Sequence, residues 1–193
     1  MIKVIKAFLL TMLAYLLQVT LMQHLKIYGV TGNLLAVNIA VLTVSLGKKS
    51  AFGASCLTGI LLEAMTSSVG GLYVVIYPVF SMLFAQLLAD MSDERREKLL
   101  LRMSDTNKKF RGDLDPHLRI PIDAMCIAAG IEAVCLVYVT LSATDVSPIL
   151  GLRAFISVLY TGILALLLMV PMRMFLKMYG GRVRRALEEE KQE

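Results

Sequence analysis

Six apolar stretches, each near the length that crosses a lipid bilayer, constrain this sequence more than any other feature. The hydrocarbon core of a bilayer is about 30 Å thick, so a spanning helix needs about 20 residues at 1.5 Å each. The stretches cover residues 4–24, 30–46, 50–67, 70–89, 120–141 and 149–172. With 57% hydrophobic residues, the chain is too apolar for a single water-soluble core. We therefore predict an all-α, polytopic protein with one membrane domain over residues 1–193.

The basic residues are expected to lie almost entirely on one side of the membrane. Of the 20 Lys and Arg residues, 18 fall near the N-terminus, at Lys48 and Lys49, in the loop 92–119, or in the tail 173–193. Only Lys26 and Arg153 fall on the other side. Because Lys and Arg accumulate in cytoplasmic loops, this distribution predicts six transmembrane helices with both termini in the cytoplasm.

The loop 92–119 is the only long segment outside the predicted spans. Its first part, residues 92–103, is predicted to be a helix capped by Ser92, with a basic surface that attracts anionic lipids. Docking of a protein on this loop is the alternative. The run from Lys108 to Asp113 holds a single aromatic residue, Phe110, so nucleic-acid binding is not expected.

The sequence offers no set of residues typical of catalysis, cofactor binding or metal binding. The three Cys residues lie in apolar runs, and the two His residues lie far apart without Cys companions. Gly70 and Gly71 open a helix without a phosphate-loop pattern. We therefore expect a protein that is not an enzyme and that needs no cofactor.

Ionisable residues inside predicted spans are costly and usually face the protein interior. Glu63 and Arg153 lie at similar depths, about 6 Å from the outer surface, so we expect them to form an ion pair. Glu132 lies deeper. Protonation is the preferred state for Glu132, because burial disfavours its charged form; contact with Asn38 or Gln18, or exposure to a water-filled cavity, are the alternatives. Asp123 lies near the cytoplasmic end of the fifth predicted helix, so we expect its carboxylate to be solvated.

Small residues recur every four positions and lead to two of these carboxylates. Ala51, Ser55 and Gly59 precede Glu63, and a similar series precedes Glu132. Such stripes let helices approach closely in lipid, where packing and polar contacts drive association. The residues predicted to pack helices or to contact partners are Ser55, Gly59, Glu63, Gly70, Gly71, Ala128, Glu132 and Arg153.

Several motifs between Gln18 and Gln86 occur in the order typical of one bacterial family. The first predicted helix ends in Leu-Gln-Val-Thr-Leu (17–21), and the second begins with Gly-Asn-Leu-Leu (32–35). The third closes with Thr-Gly-Ile-Leu-Leu-Glu (58–63), followed by Gly-Gly-Leu (70–72) and a Tyr-containing run (73–78). In this order of features, the chain resembles the rod shape-determining protein MreD family. It departs from the family pattern at Asn33, at Glu63, and in its longer loop 92–119.

The resemblance implies a non-catalytic scaffold in the cytoplasmic membrane of a bacterium. Proteins of that family belong to the elongation machinery that maintains cell shape through lateral peptidoglycan synthesis. The implied partner is MreC, with MreB, RodA and a class B penicillin-binding protein as further candidates.

A second resemblance gives the alternative function. The six-helix plan is similar to the substrate-binding membrane subunits of energy-coupling-factor vitamin transporters. Those subunits carry an Ala-x-x-x-Ala motif on the first helix, whereas Ala7 and Ala14 are seven residues apart here. Binding of a vitamin would favour this alternative, and association with MreC would favour the scaffold.

Overall fold

The described part of the chain is entirely helical apart from short connections. A computed structural model describes residues 2–26, 29–66, 70–88, 116–142 and 149–176. They form α1 (Ile2–His24), α2 (Leu34–Leu46), α3 (Lys48–Thr66), α4 (Leu72–Leu88), α5 (Pro116–Ser142) and α6 (Ile149–Phe175). Three helical segments are long and apolar enough to cross a membrane: Val4–His24, Leu118–Ser142 and Ile149–Phe175. The prediction of an all-α fold is confirmed.

The short helix α2 lies at the centre of the bundle. Every residue from Leu34 to Ser45 is buried, and α2 contacts each of the other five helices. Its 13 residues give a length of about 20 Å, which is less than the thickness of a bilayer core. Because protein surrounds α2 on all sides, its sequence is apolar all round and shows no amphipathic stripe.

The other five helices surround α2 in the order α1, α3, α4, α5, α6. Between α6 and α1 the ring is joined at one end, where Lys6 Nζ donates to the Phe175 carbonyl at 3.3 Å and lies 5.9 Å from the centre of the Phe175 ring. Along the rest of this seam runs an apolar groove of about 270 Å³, lined in part by Leu13, Leu17 and Met172. We call the end with Lys6 and Phe175 the basic end.

The outward faces of the ring are apolar. On α1 the side chains of Leu9, Leu13 and Leu16 are at least half exposed, and on α6 Ile163 and Leu167 are 61% and 69% exposed. Contiguous apolar surface of this kind is unusual on a monomeric soluble protein and is typical of surfaces that contact lipid or another protein.

The helices α2 and α4 begin later than predicted. The second helix was expected to begin at Val30 but begins at Leu34, because residues 29–33 are not helical and Asn33 caps the helix. The fourth was expected to begin at Gly70 but begins at Leu72. Gly70 and Gly71 instead have φ angles of +58° and +91°, a backbone conformation that glycine adopts at little cost.

Two helices extend into segments that were expected to be cytoplasmic. Helix α5 begins at Pro116, inside the predicted loop 92–119, and α6 continues to Phe175, inside the predicted tail 173–193. The predicted helix 92–103 and most of the tail lie outside the described residues. Arg119 and Arg173 were counted as loop and tail residues, but they are 1% and 6% exposed, so the structure buries both.

Glycine permits a close approach of two helices, α3 and α4. A β-carbon at Gly59 would lie 2.7 Å from the Tyr73 carbonyl oxygen and 2.8 Å from the α-carbon of Val74. Real β-carbons do not approach backbone atoms this closely, so the absence of a side chain at Gly59 sets the spacing. On the same helix, Gly53 has no atom within 4 Å of the corresponding position.

Replacement of Gly59 by alanine should therefore separate α3 from α4. We expect G59A to lower the free energy of unfolding by about 1–3 kcal/mol, the usual cost of overpacking, because the neighbouring atoms are backbone and cannot rotate away. Unfolding of the purified protein in detergent, followed by circular dichroism, measures the effect. G53A is the control, since the added methyl group meets open space; equal loss in both variants would contradict the assignment of the close contact to Gly59.

Candidate functional site

The N-terminus of α2 lies inside the bundle, and a glutamine of α1 supplies two of its hydrogen bonds. The Gln18 side chain accepts from the Leu34 backbone N–H at 2.7 Å and donates from Nε2 to the Gly32 carbonyl at 3.2 Å. A helix start leaves backbone N–H groups unpaired, and a buried unpaired group is costly. Gln18 therefore holds the non-helical segment before α2 and the first turn of α2 together.

Asn33 connects the same turn to two further helices. Its side-chain oxygen accepts from the Ala36 N–H at 3.0 Å as an N-cap, while its Nδ2 donates to the Tyr77 hydroxyl of α4 at 3.0 Å. Its backbone N–H donates to Thr161 Oγ1 of α6 at 2.9 Å. Thr161 in turn donates to the carbonyl of Ser157, one turn earlier on α6. Four helices thus meet at the start of α2.

Glu132 extends this network to α5. Its Oε1 lies 2.7 Å from Ser157 Oγ, and the same hydroxyl lies 3.3 Å from the carbonyl oxygen of Thr31. A hydroxyl has one hydrogen, so Ser157 donates to one acceptor at a time. If Glu132 is ionised, its carboxylate is the stronger acceptor and receives the Ser157 hydroxyl hydrogen. If Glu132 is protonated, it donates to the Ser157 oxygen, and the Ser157 hydroxyl then donates to the Thr31 carbonyl.

A cavity of about 270 Å³ opens beside this network, at the end of the bundle opposite the basic end. The segment 29–31, helix α5 and helix α6 line it, and its walls include Glu132, Cys135, Arg153 and Ser157. Ser157 is buried and Glu132 is half-buried, whereas Arg153 is exposed. The cavity therefore has a carboxylate and a hydroxyl in its depth and a guanidinium nearer to solvent.

The expected ion pair between Glu63 and Arg153 is wrong. Glu63 Oε1 accepts from the backbone N–H of Gly71 at 2.6 Å, and within the described ranges neither charged group forms an ion pair with the other. Arg153 shares its cavity with Glu132 instead. Equal depth along a helix does not bring two residues together, because the order of helices in the ring separates α3 from α6.

The alternatives considered for Glu132 are resolved in part. Contact with Asn38 is wrong, because the Asn38 amide donates to Thr11 Oγ1 at 3.0 Å. Contact with Gln18 is also wrong, since that side chain binds the start of α2. Glu132 does line a cavity, as the remaining alternative expects.

The remaining predicted contact residues lie within the bundle or at its turns. Ser55 and Ala128 are completely buried, and Ser55 donates to the carbonyl of Phe52 on its own helix at 2.8 Å. Gly70 and Gly71 form the turn that Glu63 binds. Ser55, Gly59 and Ala128 are therefore positions of internal helix packing in this structure.

A second polar cluster lies toward the basic end. Asp123 is fully buried, so the expectation that solvent surrounds it is wrong. It follows Arg119 by four residues on α5, which places the two opposite charges one helical turn apart and lets them attract each other. Among the described residues, neither oxygen of Asp123 accepts a hydrogen bond.

Sequence reasoning missed three residues of the network, Thr31, Ser157 and Thr161. Serine and threonine occur throughout the apolar stretches, and several of them bond to a carbonyl of their own helix, as Thr20 does. The spacing in the sequence could have indicated Ser157 and Thr161. They follow Arg153 at intervals of four residues, so all three lie on one face of α6.

Other kinds of site find less support. In the ranges that the structure describes, no group of three or more His, Cys, Asp or Glu side chains is placed to hold a metal ion. Comparisons with protein-family models, curated proteins and solved structures give no match.

Replacing Gln18 with leucine tests the role of its amide. We expect Q18L to lower the free energy of unfolding by about 1–3 kcal/mol, because the Leu34 N–H and the Gly32 carbonyl lose their partner inside the bundle. Unfolding in detergent measures this. The control is Q23L on the same helix, where the glutamine is exposed; if both variants unfold alike, the Gln18 contacts do not stabilise the start of α2.

Proposed function

We propose that the chain is an integral protein of a bacterial cytoplasmic membrane in which all six helices cross the bilayer. The support comes from the apolar outer faces of the ring and from the segregation of 18 of the 20 basic residues. In this arrangement the basic end faces the cytoplasm together with both termini. The short α2 does not itself need to match the bilayer thickness, because other helices shield it from lipid.

We further propose that the protein is a non-catalytic scaffold of the elongation machinery, similar to the MreD family. One observation carries this proposal: residues of the resembling motifs bind one another. Gln18 binds the Gly32–Leu34 segment, Asn33 binds Tyr77, and Glu63 binds Gly71. Residues of different motifs thus contact one another in the folded chain, which supports a shared fold and, through it, a shared function.

A scaffold of this kind acts through its outer faces. Since the small-residue stripes are used inside the bundle, the surfaces available to partners are the exposed apolar sides of the ring and the segments at the basic end. MreC is the proposed direct partner, with MreB, RodA and a class B penicillin-binding protein in the same assembly. Anionic lipids are proposed to bind the basic loop 92–119.

Reporter fusions test the topology. We expect alkaline phosphatase fused at either terminus to be inactive, and green fluorescent protein at either terminus to be fluorescent, because both ends lie in the cytoplasm. Phosphatase fused after Lys26 should be active and serves as the matched control. Phosphatase activity at either terminus would contradict six crossings with cytoplasmic ends.

Crosslinking in native membranes tests the scaffold function. We expect a photoreactive residue in place of Leu13, beside the α1–α6 seam, or of Val75, on the outer face of α4, to capture MreC from at least one of the two faces. The same residue in place of the buried Ile39 is the control and should capture no partner. Depletion of the protein should also turn rod-shaped cells into spheres. No capture of MreC together with unchanged cell shape would refute the proposal.

A further inference from the structure

The cavity beside Glu132 is lined by an acidic and a basic side chain that do not bond to each other. Glu132 and Arg153 lie on neighbouring helices and line the same space, yet the described residues contain no ion pair between them. Charged groups in the interior of a membrane protein normally pair or mark a pathway or a ligand. This cavity is independent of the outer surfaces on which the scaffold function depends.

The two charges occupy different depths of the cavity. Glu132 is bonded to the buried Ser157, whereas Arg153 lies one helical turn, about 6 Å, farther along α6 and is exposed. A guest with one cationic and one anionic group can satisfy both. Its cation would face the carboxylate in the depth of the cavity, and its anion would face the guanidinium nearer to solvent.

The remaining lining residues and the volume of the cavity indicate the size of such a ligand and the polarity of its central part. Leu136, Val139, Leu150 and Ala154 supply apolar walls between the charged groups. The volume of about 270 Å³ lies just below the range of about 300–1,000 Å³ that is usual for small-molecule sites. A compact molecule with a short apolar body fits these dimensions better than a large cofactor.

We propose that this cavity binds a small amphoteric molecule of the amino-acid class, with its ammonium group on Glu132 and its carboxylate on Arg153. Ser157 positions the Glu132 carboxylate, and the segment 29–31 forms the wall nearest to α2. This is a binding function in addition to the proposed scaffold function, and neither requires the other.

Cys135 offers a direct reporter, because this residue is part of the cavity lining. In a C56A/C126A background it is the only thiol of the chain. The rate at which a small methanethiosulfonate reagent modifies Cys135 is measured on the purified protein with and without L-leucine, L-valine or L-alanine. We expect at least one of the three to slow the reaction several-fold. At the same concentration, its analogues lacking the amino or the carboxyl group should slow it far less.

Two variants separate binding from folding. E132Q and R153Q should each abolish the protection and still elute as folded protein, because glutamine at position 132 keeps an acceptor for Ser157 and Arg153 is exposed. K26Q removes an exposed positive charge from the same end of the bundle and should leave the protection intact.

Equilibrium dialysis with the same three labelled amino acids decides the outcome if Cys135 proves unreactive. The proposal is overturned if none of the three binds, if singly charged analogues bind as well as the amino acids, or if binding persists in both E132Q and R153Q. Failure here would leave capture of MreC unaffected, so the two proposals are tested separately.

Discussion

The start of α2 lies inside the bundle, and the fold depends on how its backbone groups are satisfied there. Water cannot easily reach these groups, so each must find a protein partner. Gln18 and Thr161 accept from successive backbone N–H groups, at Leu34 and Asn33, and the Asn33 side chain caps the same turn. Because these contacts come from α1 and α6, the central helix fixes the positions of its neighbours through hydrogen bonds as well as through packing.

The lengths of the apolar runs predict where the long helices lie, but they do not predict the start of α2 or the burial of Asp123. Residues 4–24 and 149–172 were predicted as helices and match α1 and α6 closely, since long apolar runs allow few other structures in lipid. The start of α2 was missed because Val30 is as apolar as the helix that follows. The burial of Asp123 was missed because position near a predicted span end says nothing about which face of α5 meets other helices.

The charged residues of the candidate site were predicted from their residue types, but the groups that they bind were not. Glu63, Glu132 and Arg153 were identified because charges at membrane depth are rare. Their partners depend on the order of helices around α2, which sequence spacing does not contain. Glu63 binds the turn next to it in the chain, whereas Glu132 meets Ser157 across the α5–α6 interface. The first contact is local and within reach of sequence reasoning; the second requires the tertiary structure.

The cavity and the central helix share a wall, and this links binding to stability. Thr31 lies at the cavity, and two residues later Asn33 caps α2. Ser157 lies between Glu132 and the Thr31 carbonyl, so any guest that changes the hydrogen bonding of Glu132 also changes the support of the segment 29–33. A ligand that binds only the folded bundle stabilises it in proportion to its occupancy. Occupation of the cavity would therefore affect the start of α2, which contacts all five of the other described helices.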